Sequence, residues 1–238
     1  MLGYPDQAVQ RLAQCLALTQ AHNRLFGRVY ALSYAASCYR LRREVQRVQE
    51  LAEEAIRLAQ QHGFAQWLAH AQIRRGWACA MQGQHDEGKA DIEQGLTAHA
   101  TIGISSGRPY DLVLFAEVCG MAGHPVEGLR ALAEAQTISG LRFATAELYR
   151  VKGELLLSES ADNHSAAEAC VRQALDIARG QQAKWWELRA AMSLSRLWQQ
   201  QGKRQEAREL LAPVYGWFTE GFDTADLQEA RALLDELA

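Results

Sequence analysis

The chain has 238 residues, 48% of them apolar and 22% charged, with a net charge of −3. That balance excludes the strong basic excess that nucleic-acid and anionic-membrane surfaces select for, so neither is expected as a partner. Five cysteines (Cys15, Cys38, Cys79, Cys119, Cys170) are odd in number and lack any Cys-x2-Cys pair, which argues against a disulfide framework or a structural zinc site. They fit a reducing, cytoplasmic setting. No run approaches the roughly 18 apolar residues of a membrane span. The segment MLGYPDQAVQ lacks the basic-then-apolar order of a secretory signal.

In chain order the predicted elements are helices, and they repeat. A tight turn falls at Gly3, Arg43, Gly83, Gly123, Asp162 and Gly202, at spacings of 40, 40, 40, 39 and 40 residues. Five residues beyond each turn stands a small or β-branched residue: Ala8, Val48, Gly88, Gly128, Ala167 and Ala207. The first copy begins almost on its turn, so its helix pair is expected to be incomplete, as in a fragment of a longer chain. In the second copy Val45, Val48, Leu51, Ala52, Ala55, Ile56 and Ala59 recur at three- and four-residue steps, the stripe of an amphipathic helix. FAQWLAHAQIRRGWACAMQ (64–82) is the helix before the third turn.

The third turn, QGQHDEGKA, contains Gly83-x4-Gly88-Lys89, one residue short of a phosphate-binding loop. Ala90 replaces the hydroxyl that holds Mg²⁺, and a helix stands where that loop needs a strand. The near-match is the repeat itself: Gly83 reverses the chain and Gly88 allows two helices to approach. Pro5, Pro109 and Pro125 fall in first turns of helices, where a missing N–H is harmless. Pro213 falls inside the last repeat helix and should kink or weaken it. A terminal capping helix is expected at about 224–237.

Alternating strand patterns and Asn-Gly or Asp-Gly hairpins are missing. The unit is helix, tight turn, helix, longer connector, with connectors such as TQAHNRLFG, ATIGISSGRP and ISGLRF. One such hairpin cannot bury its own apolar face, so neighbours must stack. The expectation is an all-α solenoid of about six antiparallel helix pairs, forming one repeat domain over residues 1–238.

These residues resemble tetratricopeptide repeats, in which a glycine opens the turn and alanine follows five residues on. Gly76 with Gly83-x4-Gly88, Tyr149 with Gly153 and Ala167, and Trp198 with Gly202 and Ala207 carry the likeness. The 40-residue period exceeds the family's usual value of about 34, and Arg75 stands where the family has leucine. HEAT-like repeats share the longer period but not the turn. The resemblance implies a right-handed α-α superhelix. RRGWACAMQGQHDEG and WFTEGFDTADLQEARALLDEL further resemble the helical arm of bacterial signalling ATPases fused to nucleotide cyclase or LuxR-type modules. That likeness implies a sensor or partner-binding arm without catalytic parts.

His22 and His62, and His85, His124 and His164, sit at equivalent places in successive copies, so they spread along the solenoid rather than converge. No metal or cofactor is expected. Asp86 and Glu87 fit the positive end of a helix dipole, and no nucleophile-elbow motif occurs, so no catalytic residue is assigned. By the family resemblance, positions 13, 10, 6 and 3 before each turn face the concave groove. They nominate Tyr30, Arg40, His70, Trp77, Tyr110 and Glu117. They also nominate Glu147, Arg150 and Glu154 (counted around Gly153), then Arg189 and Arg196. Aromatic faces interspersed with arginine suit a protein or peptide partner. The alternatives are a small-molecule effector, or a homo-oligomer formed through the incomplete first repeat.

Overall fold

The computed structural model describes residues 2–21, 24–105, 107–138 and 141–238. His22 lies outside these residues. Among them are twelve α-helices and no strand. They are α1 (Pro5–Ala21), α2 (Leu25–Leu41), α3 (Val45–His62), α4 (Ala65–Met81), α5 (His85–Thr101) and α6 (Arg108–Met121). The second half has α7 (Pro125–Thr137), α8 (Thr145–Glu159), α9 (His164–Gly180), α10 (Lys184–Gln200), α11 (Arg204–Tyr215) and α12 (Ala225–Glu236). No described helix is long and apolar enough to cross a membrane.

The repeat turns share one backbone device. Gly83, Gly123 and Gly202 take φ of 88°, 77° and 80°, a left-handed conformation that glycine adopts without a Cβ penalty. At the third turn Gly83 N–H donates to the Ala80 carbonyl and Gln84 N–H to that of Cys79, both at 3.0 Å, so the last carbonyls of α4 are satisfied. Arg43 makes the same turn at φ 60° without being glycine. The fifth turn differs: residues 161–163 form a 3₁₀ turn, and the Ser160 hydroxyl accepts from the Asp162 N–H.

The stripe read in the sequence packs α3 against its neighbours, with Val48, Ala52 and Ala55 fully buried. Glycines set the closest approach. A Cβ on Gly88 would lie 2.4 Å from the Gly76 carbonyl oxygen, and one on Gly76 would lie 2.5 Å from that of Gly88. This backbone contact fixes α4 against α5. Lys89, the lysine of the near-match, pairs with Glu127 at 2.7 Å.

One expectation needs correction. The connectors between units are not all long: Gly63 (φ 70°) and Gln182 (φ 53°) join α3 to α4 and α9 to α10 in two or three residues. In these units the extra length over a shorter repeat therefore lies in helices of 17 or 18 residues. Pro213 lies within α11, which has only 12 residues and ends at Tyr215. Pro109 and Pro125 open α6 and α7 as expected.

The two ends of the superhelix meet. Asp6 N–H donates to Glu220 at 2.9 Å, and Gly221 N–H donates to the Asp6 carboxylate at 3.0 Å. Tyr4 packs edge-on against Trp217, with ring centroids 5.7 Å apart. Arg42 spans Asp6 at 2.8 Å and Asp223 at 3.1 Å. The side of the first pair expected to serve self-association is thus partly packed by residues 217–221.

Gly88→Val should destabilise the protein by about 2–3 kcal/mol, because its side chain meets backbone rather than a movable side chain. Urea unfolding should show a lowered midpoint, whereas Gly83→Ala should act only through its left-handed backbone.

Candidate functional site

Successive first helices α2, α4, α6, α8 and α10 line the inside of the superhelix. Because the ends meet, α12 and Arg43 bound its remaining side and leave a half-open cavity of about 400 Å³. Of the groove candidates, Arg40, Trp77, Glu117, Arg150, Glu154, Arg189 and Arg196 line this cavity.

Its floor is a buried charge network. Arg189 donates to Asp226 at 2.7 Å, to Glu147 at 3.0 Å and to the Leu41 carbonyl at 3.2 Å. One guanidinium therefore ties together α10, α12, α8 and the end of α2. Glu147 also accepts two hydrogen bonds from Arg150, at 2.8 and 2.9 Å, in the bidentate geometry that suits arginine. Burial alone would raise the Glu147 pKa, but Arg150, Arg189 and Arg40 overcome it and hold the carboxyl at about 2. Burial likewise opposes the charge on Arg189, yet Asp226 and Glu147 hold its pKa above the usual range.

The rim is wetter. Arg150 reaches the half-exposed Glu154, which also accepts from Ser193 at 3.0 Å. Arg43 and Arg196 converge on Glu229. Trp77 donates its indole N–H to Glu117 at 3.3 Å.

The remaining candidates lie elsewhere. Glu147 sits beneath the floor as a clamp. Tyr110 lies behind the wall, its ring 5.0 Å from the Arg40 guanidinium and 5.2 Å from the Phe143 ring. Tyr30 and His70 belong to an aromatic strip: Phe26, Tyr30 and Tyr34 are 56%, 45% and 46% exposed and cover Trp67. His70 packs against Tyr34 and accepts from Arg74 at 3.0 Å through Nε2, leaving its proton on Nδ1. Burial first, then Arg74 and His99, push its pKa well below the ordinary value. Among the described residues no three His, Cys, Asp or Glu side chains are placed to hold a metal.

Sequence reasoning missed Arg43, Asp226 and Glu229. A signal existed for Glu229: the 40-residue register carried past Gly202 gives it the groove position of Arg189. Arg43 was read only as a turn residue.

The sequence matches no protein-family model and no curated protein. Among solved structures, the chain is similar to a Podosopora anserina chain described as a kinesin light chain with nearly identical TPR-like repeats. The TM-score is 0.51 at 20% identity, covering 88% of this chain and 96% of that one. The fold is that of a TPR-like helical repeat. At that identity the likeness concerns the fold, and the cavity belongs to this chain's own residues.

Arg189→Leu should cost about 3–5 kcal/mol, since it leaves the Glu147 and Asp226 carboxylates buried and short of a partner. Acid should act through the same node. With its folded pKa below the ordinary 4.5, Glu147 contributes stability above about pH 4.5 that is lost as pH falls toward 2. Glu147→Gln should remove that part of the acid dependence in pH-dependent urea melts.

Proposed function

We propose that this chain is a non-catalytic binding scaffold whose ligand enters the interior of the superhelix, and that the ligand is a small effector rather than a folded partner. The meeting of the two ends carries the proposal. An open groove can cradle a helix, which is about 10–12 Å across with its side chains. The cavity holds about 400 Å³, within the range of small-molecule sites. Its walls are tied by Arg43 to Asp226 and Glu229, and by Arg196 to Glu229. These pairs brace the rim of the cavity on the α12 side.

The proposal favours the effector alternative raised from the sequence. The resemblance to helical arms of bacterial signalling ATPases supports a regulatory, cytoplasmic setting, in which effector occupancy is reported to attached or associated modules. The interior carboxylates are engaged by arginines, which supports binding rather than proton transfer.

A protein partner has its own support away from the cavity lining. Phe26, Tyr30 and Tyr34 are spaced four apart on one face of α2, an exposed aromatic surface of the kind enriched in interfaces.

A thermal-shift screen of metabolites and short peptides separates these surfaces, because a specific ligand raises stability by mass action. Ser158 is exposed and lines the cavity. Ser158→Trp should abolish the shift caused by small ligands, whereas the Tyr30→Ala/Tyr34→Ala double variant should preserve it. The reverse pattern would sink the interior assignment and favour the aromatic strip.

A further inference from the structure

One buried guanidinium has no acceptor. Arg42, Arg74, Arg150 and Arg189 are each held by two or more hydrogen bonds. Arg40, 2% exposed, makes none: its Nε and Nη2 are buried without partners among the described residues. Its Nη1 stands 3.9 Å from Glu117, beyond hydrogen-bond reach. Stacking on the Trp77 and Tyr110 rings, at 5.7 and 5.0 Å, replaces only part of the lost hydration.

No neighbouring carboxylate hydrogen-bonds it. Glu147 is taken by Arg150 and Arg189, Asp226 by Arg189, and Asp111 by Arg74. Glu117 accepts from the Trp77 indole and stands 3.9 Å from Arg150 as well. Burial, joined by the like charges of Arg189 and Arg74, outweighs the attraction of Glu117 and lowers the Arg40 pKa to about 10, so it remains charged at neutral pH. A charge desolvated without hydrogen bonds is costly, and methionine would pack the same space at lower cost.

We propose that Arg40 is the anion-binding residue of the interior cavity, and that the ligand joins a carboxylate or phosphate group to a short apolar body. The inference rests on the cavity being the binding site. The cavity supplies both halves of this recognition. Arg40 brings an unpartnered guanidinium, the group that suits an oxyanion, to the cavity lining, and Met81, Met121, Leu155 and Met192 line the same space with adaptable apolar surface. Glu117 opposes the anion and so tunes its affinity. Removing that charge must strengthen binding, a sign that a purely structural Arg40–Glu117 contact does not predict.

Calorimetry and thermal melts of the full chain with octanoate, octyl phosphate and uncharged octanamide test the proposal. A charged probe should bind saturably and raise the melting temperature, and octanamide should not. Arg40→Met should weaken the charged probe by at least about tenfold while leaving the unliganded protein as stable or more so. Glu117→Gln should tighten binding. If Arg40→Met does not fold, Arg40→Lys, which loses the planar fork, should weaken binding while Glu117→Gln still tightens it. Failure of both charged probes to bind overturns the proposal, as does equal binding of octanamide or no loss in the Arg40 variants. Probe binding that Ser158→Trp blocks but Arg40→Met spares overturns this inference alone. Binding that ignores Ser158→Trp overturns the interior site as well.

Discussion

The structure depends on the hydrogen bonds of one buried side chain. Arg189 reaches α8 through Glu147, α12 through Asp226 and the end of α2 through the Leu41 carbonyl. Stacked helix pairs ordinarily contact only their neighbours in sequence. Here an arginine in the fifth full pair holds a backbone carbonyl of the first. Because every donor group of that guanidinium is engaged, desolvation is compensated by geometry rather than by solvent. Remove it and the floor carries two carboxylates with too little positive charge between them.

From that tie follows the character of the interior. An open superhelix would present its first helices to solvent as a broad track. Joined ends turn the same residues into the wall of a bounded space, where charge–charge terms are larger than they would be in water. The interior is close to balanced in sign, so its chemistry resides in whichever group is left without a partner. Paired arginines build the walls; the unpaired one selects what lies between them.

Much of the fold was legible because its signals are local. Gly83, Gly123 and Gly202 mark left-handed turns, and Gly76 with Gly88 marks a backbone approach that tolerates no Cβ. Several groove positions, among them Trp77, Glu117 and Arg196, follow from a register counted back from those turns. What was not legible is long-range. Nothing in a 40-residue period says that Asp6 will meet Gly221 or that Arg42 will reach Asp223. Tyr30 and His70 share the register of the cavity-lining residues but lie in the aromatic strip around Trp67. Gln182 hid a short connector by taking a left-handed φ that is usually glycine's.

The contact between Asp6 and residues 220–221 spans almost the whole chain. An open repeat array behaves like a row of coupled units that can fray from either end and fold from any point. Fastening first to last makes the terminal units report on each other, so loss of one end weakens the other and unfolding gains cooperativity. The entropic cost is modest: closing a loop of roughly 200 residues instead of roughly 20 adds only about 2 kcal/mol. The consequence for folding is temporal. Local hairpins of helices can form early, but the cavity exists only after the most distant contact has been made, so binding competence is the last property the chain acquires.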